Sequence, residues 1–86
     1  MIDSQSLELP NFIRYYDGAF DSKTQAALDR QDQVLEKIQT VEPEARTCYF
    51  PMEEQHVVHV YGRELSGYHS TRAQALADAY NRLFSV

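Results

Sequence analysis

The residues of this 86-residue chain with the richest potential chemistry are one cysteine and three histidines, Cys48, His56, His59 and His69. Thiolate and imidazole are zinc ligands, and a thiol beside an imidazole is the pair a cysteine nucleophile needs. The spacing speaks against both uses. His56 and His59 lie three apart in a run that reads as a strand, where side chains alternate, so they face opposite ways; ligation from one face needs even spacing. Nothing in the sequence near Cys48 supplies an orienting third group or oxyanion donors, and Cys48 reads instead as a small buried apolar residue. The carboxylates are scattered over helix surfaces and loops, with no pair placed for acid-base work. The expectation is a chain without catalytic residues, metal or cofactor.

Tyrosine is the stronger signal. Six tyrosines and no tryptophan are more than one small core can hide, and tyrosine suits recognition surfaces because its large side chain is stiff and amphipathic. Val57, His59 and Tyr61 share one side of the apolar run by period-two alternation, and cross-strand neighbours such as Tyr49 or Tyr68 extend that side. With Tyr15 and Tyr16, these residues form the candidate partner-binding set. The competing expectation is that segment 1–20 folds back over this face and makes Phe12 and Ile13 core residues.

The elements that must position these groups are legible from periodicity. Residues 1–9 are polar apart from Ile2, Leu7 and Leu9 and read as a flexible lead or an edge segment. Over 10–17, Phe12, Tyr15 and Tyr16 recur at helical spacing after Pro10, which favours a short helix; Phe12 to Tyr16 also fits a strand. A helix is expected over 21–41, opened by a capping box at Ser22 and Gln25 or by Asp21, and ended before Pro43. Its inward arc is Ala27, Leu28, Val34, Leu35, Ile38 and Val41, interrupted by Thr24 and Gln31. Three strands fill 46–70: Arg46 to Phe50, Val57 to Tyr61, and, after a turn at Gly62-Arg63-Glu64, Leu65 to His69. A second capping box, Thr71 with Gln74, opens a helix over 71–84 whose Leu76, Tyr80 and Leu83 are expected to pack on a sheet containing Val58 and Val60. The expected fold is α+β: one small two-layer domain in α-β-β-β-α order, with a three-stranded antiparallel sheet against two main helices and a short N-terminal helix or strand.

In that order, with Val58-x-Val60-x-Gly62, Gly67 in the next strand, and Thr71-x-x-x-Ala75-x-x-x-Ala79 leading to Leu83, residues 21–86 resemble the double-stranded RNA-binding domain. The resemblance implies the shape and, as a second functional reading, a degenerate nucleic-acid-binding module. The family's RNA contacts come largely from lysines opening the last helix, where this chain has only Arg72. Its loop between the first two strands is matched here by the acidic Pro51-Met52-Glu53-Glu54. The one aligned basic row is Lys23, Arg30 and Lys37 along the first helix, the nucleic-acid candidate set of this second reading. Its simpler role is a solvated flank whose stems cover the core edge.

Charge weighs on the same side. A net charge of −5, from 13 acidic and 8 basic residues, opposes the counterion release that drives nucleic-acid binding, so tight binding to nucleic acid is not expected. A single cysteine points away from the disulfide-rich secreted class, and neither a leader pattern nor a window of about 20 apolar residues appears. The expected protein is cytoplasmic, unanchored and complete from Met1. The leading functional expectation is an acidic, non-catalytic interaction module that regulates or inhibits a protein partner, in the style of phage and mobile-element accessory proteins. A second copy of the chain is among the expected occupants of its surface.

Overall fold

The computed structural model describes all residues except Phe12, Arg14, Asp17 and Val86, with the backbone alone at Tyr15 and Tyr16. In chain order it comprises a 3-10 turn (Ser4–Leu7), β1 (Tyr15–Tyr16), β2 (Ala19–Phe20), α1 (Ser22–Val41), β3 (Arg46–Phe50), β4 (Gln55–Val60), β5 (Arg63–Glu64) and α2 (Arg72–Phe84). The α+β class and the three-stranded antiparallel sheet, ordered β3-β4-β5, are as expected from the sequence. Among the described residues no helix is long and apolar enough to cross a membrane.

Helix α1 is capped by Asp21, whose carboxylate accepts from Thr24 N–H at 2.9 Å. Ser22 is already helical, and Gln25 donates to Asp29 one turn on. Of the two candidate caps the aspartate takes the role, with a charged acceptor at the positive helix end. The buried stripe of α1 is Thr24, Ala27, Gln31 and Ile38, so the two polar residues that seemed to interrupt the arc are its centre. Gln31 is 3% exposed because its amide serves two neighbours: Nε2 donates to Leu7 O at 2.8 Å, and Oε1 accepts from Arg72 Nη1 at 2.8 Å. Val41, expected on the same arc, lies on the last turn and is exposed.

Residues 1–9 are docked on the helices, which corrects the expectation of a flexible lead. Leu7 is buried. The main chain of Ile2 is held in both directions by Asn81, N–H to Oδ1 at 2.7 Å and O from Nδ2 at 2.9 Å. Arg30 Nε donates to Ser6 O at 2.9 Å. Side chains of α1 and α2 thus satisfy backbone groups that a polar segment would otherwise leave to water. Beyond this segment the short-helix expectation gives way to a strand at Tyr15–Tyr16, paired as Tyr15↔Phe20 and Tyr16↔Ala19. Asp17-Gly18 is the dipeptide type that favours a tight hairpin, and Gly18 has φ +81°. The core assignment of Phe12 lies outside the described residues, while Ile13 is 49% exposed and is not a core residue.

Helix α2 carries the expected capping box in full: Thr71 Oγ1 accepts from Gln74 N, and Gln74 Oε1 accepts from Thr71 N. Ala73, Ala75, Leu76, Ala77 and Ala79 are all buried, so the helix is covered well beyond one stripe. Leu76 is fully buried as expected, whereas Tyr80 and Leu83 pack only partly against the core. The polar side is occupied as well: Asn81 clamps Ile2, and Asp78 holds the chain leaving the sheet. Val58 joins Ile38, Ala45, Leu65 and Leu76 in the core, with Val60 partly buried against it.

Candidate functional site

The site follows from the register of β3 on β4, in which Arg46↔His59, Cys48↔Val57 and Phe50↔Gln55 alternate with Thr47↔Val58 and Tyr49↔His56. Directly paired residues share a face. Val58 belongs to the helix-packed core, so Thr47, Tyr49, His56 and Val58 look toward the helices and Cys48, Phe50, Val57 and His59 look away from them. This open face is the candidate interface.

The third strand arrives by a different route from the one read in the sequence. Gly62, at φ +77°, makes a tight turn after Tyr61, so Arg63 and Glu64 pair with Val60 and His59 instead of lying in the turn. Pairing resumes only at His56↔His69. Between these pairs β4 advances three residues, from His59 to His56, while its neighbour advances five, from Glu64 to His69. The surplus is taken up in a bulge. Val58 O accepts from both Leu65 N and Ser66 N, at 2.8 and 3.2 Å. Val58 N–H donates to the Ser66 hydroxyl at 2.8 Å, a side chain standing in for a missing backbone acceptor.

Asp78 anchors that bulge. Its Oδ2 accepts from Gly67 N–H and lies 2.8 Å from His69 Nε2, while Oδ1 accepts from Arg82 Nε at 2.8 Å. Burial pushes this carboxyl up, but the hydrogen bonds from His69, Gly67 and Arg82, together with the Arg82 charge, outweigh it and hold the group below its ordinary value. A histidine–aspartate pair is a catalytic arrangement when a nucleophile adjoins it. Here the Ser66 hydroxyl is engaged with Val58 N and Gly67 O, and the pair holds Gly67 N–H and the His69 ring on Asp78. Among the described residues no three His, Cys, Asp or Glu side chains group closely enough to hold a metal ion.

The bulge delivers Tyr68 to the open face, where its ring meets Phe50 with centroids 5.7 Å apart and planes inclined at 55°. On the same face Val57 is 2% exposed. Phe50 and Tyr68, at 38% and 44% exposure, remain in contact with solvent. Two clefts flank the aromatic pair: one of about 240 Å³ reaches Cys48, Val57, His59 and Glu64, and one of about 330 Å³ is bounded by Glu53 and Gln55. The Tyr68 hydroxyl donates to Glu64 at 2.7 Å, and this bond, ahead of burial and the Glu64 charge, raises the phenol above its ordinary value.

The structure therefore gathers only part of the candidate set. Val57, His59 and Tyr68 share the open face. Val57 is its floor, not an exposed contact. Tyr49 belongs to the opposite face, where register pairs it with His56 at a ring-centroid distance of 4.7 Å. Tyr61 has left the strand for the turn and is fully exposed. The side chains of Tyr15 and Tyr16 lie outside the described residues. Phe50, absent from the candidate set, is central; its signal was alternation with Cys48, which needed the register to be read.

The basic row is an edge of another feature. Arg30 and Lys37 border a groove of about 640 Å³ between α1 and α2, floored by Ile2, Leu7, Val34 and Tyr80, while Lys23 lies further along beside Glu8 and Pro10. Arg30 is engaged by the main chain of Ser6. Comparison with protein-family models, with curated proteins and with solved structures gives no match to this chain.

Proposed function

We propose that this chain is a small, acidic, non-catalytic interaction module that regulates or inhibits a protein partner by seating it on the open face of the sheet. The observation that carries the reading is the Phe50–Tyr68 pair. These two aromatic rings pack on one another and stay solvent-exposed on the sheet face turned away from the helix-packed core. Aromatic residues at the centre of an uncovered apolar patch are the usual energetic anchors of protein interfaces. The commitment of His69, Asp78 and Ser66 to holding the bulge supports a scaffold role for the groups that most resemble catalytic ones. A phage or mobile-element accessory protein is the setting this reading fits, on size and charge.

The test is capture from a native lysate by tagged wild type and by Tyr68→Glu, identified by mass spectrometry, with light scattering on both proteins. The expected result is a partner retained by wild type and lost by a folded Tyr68→Glu variant. Equal capture by the two removes the open face from the function.

A further inference from the structure

We propose that the cleft bounded by Phe50, Tyr68, Glu53 and Gln55 receives a cationic side chain, an arginine or a methylated lysine, presented by a basic segment of the protein partner. This rests on the reading of the open face as an interaction surface and adds the chemistry of what it takes. The two rings are inclined at 55° instead of stacked parallel, and both residues line the cleft. Aromatic faces attract cations through the ring quadrupole, and a planar guanidinium or a methylated ammonium is broad enough to touch both rings.

A carboxylate completes the cleft. Glu53 lines the cleft, is exposed, and has no ion-pair or hydrogen-bond partner among the described residues. Glu64, in the neighbouring cleft, accepts the Tyr68 hydroxyl, which places a second negative charge at the hydroxyl end of that ring. An acidic chain draws a basic segment to this face. A second copy is the poorer occupant, because it carries the same net charge of −5 and a two-fold contact would bring two copies of the same Glu53-bearing face together.

The probes are short neutral peptides carrying one arginine or one trimethyl-lysine, with citrulline and norleucine peptides as uncharged counterparts, titrated into the full chain by NMR. Saturable shifts at Phe50, Gln55 and Tyr68 are expected, with about tenfold weaker binding of the uncharged counterparts. Glu53→Gln, at an exposed turn position, should weaken the charged peptides toward that level while leaving the rest of the spectrum in place. Equal binding of citrulline and arginine peptides, or no shift at these three residues, overturns the cation site. The two readings separate cleanly. Lost capture by Tyr68→Glu without peptide binding leaves the interaction surface and removes the cation site, whereas peptide binding with unimpaired capture does the reverse.

Discussion

Val57 and Val58 are neighbours on one strand with nearly the same exposure, 2% and 0%, yet they are buried by opposite means. Val58 faces two helices and a core of Ile38, Ala45, Leu65 and Leu76. Val57 faces outward, pairs with Cys48 across the strands and lines a cleft with Phe50 and Tyr68. The first face is closed by elements whose own apolar stripes require the contact. The second carries, among the described residues, aromatic side chains that remain half in water. Equal burial does not mean equal packing, and the face held by movable side chains is the one with free energy left to gain from a partner.

The sharpest break in this comparison comes from Leu76, fully buried where α2 meets the sheet. Leu76→Ala should cost about 2–5 kcal/mol, a large part of the stability of so small a domain. An unchanged melting temperature would contradict the packing described. Next, Val58→Ala should cost about 2–3 kcal/mol and Val57→Ala clearly less, since Phe50 and Tyr68 can settle into the space while the helices cannot. Paired denaturant titrations decide this, and equal losses would mean that the open face is as rigid as the core.

Two titratable groups sharpen the contrast through pH. Burial, with a contribution from Arg72, holds His56 below its ordinary 6.5. A histidine whose folded value is depressed favours folding only while neutral. Stability should therefore fall as pH drops below about 6.5 toward the folded value, and His56→Gln should flatten that slope. Asp78 acts lower: its depressed carboxyl contributes stability above 3.8, which is lost as pH falls through the folded value. Asp78→Asn at neutral pH should cost about 1–2 kcal/mol, by loosening the charged hydrogen bonds to Gly67, His69 and Arg82. Hydrogen exchange should place that loosening at residues 66–69.

The smallest effect is expected at Tyr61, which is fully exposed in the turn. Tyr61→Ala should change stability by no more than about 0.5 kcal/mol. A larger thermal shift would show that the turn packs against something not apparent in the monomer.

Much of the fold was legible because its signals are local. The Thr71–Gln74 capping box and the spacing of Ala73, Leu76 and Ala77 need only neighbouring residues to be read. The same holds for the apolar run of β4 and for a glycine where φ must be positive. Local signals also misled. At 10–17 helical spacing favoured a short helix over the strand that also fitted, and at the start of α1 the Ser22 box stood ahead of Asp21, the second candidate cap and a stronger acceptor.

What the sequence by itself determined was the class of the protein: an acidic α+β domain with one apolar central strand and two capped helices, each a consequence of periodicity and end chemistry. What only the tertiary structure decided was which residues meet. The docking of residues 1–9 depends on Gln31, Arg30 and Asn81 reaching backbone groups far away in sequence. The open face depends on a register that sends Tyr49 to the helices and Phe50 away from them, and on a bulge that shifts Tyr68 beside Phe50. A one-residue slip exchanges the two faces of a strand. The pattern within a single strand does not contain that choice, because strand partners, turn lengths and side-chain substitutes such as Ser66 together set the register.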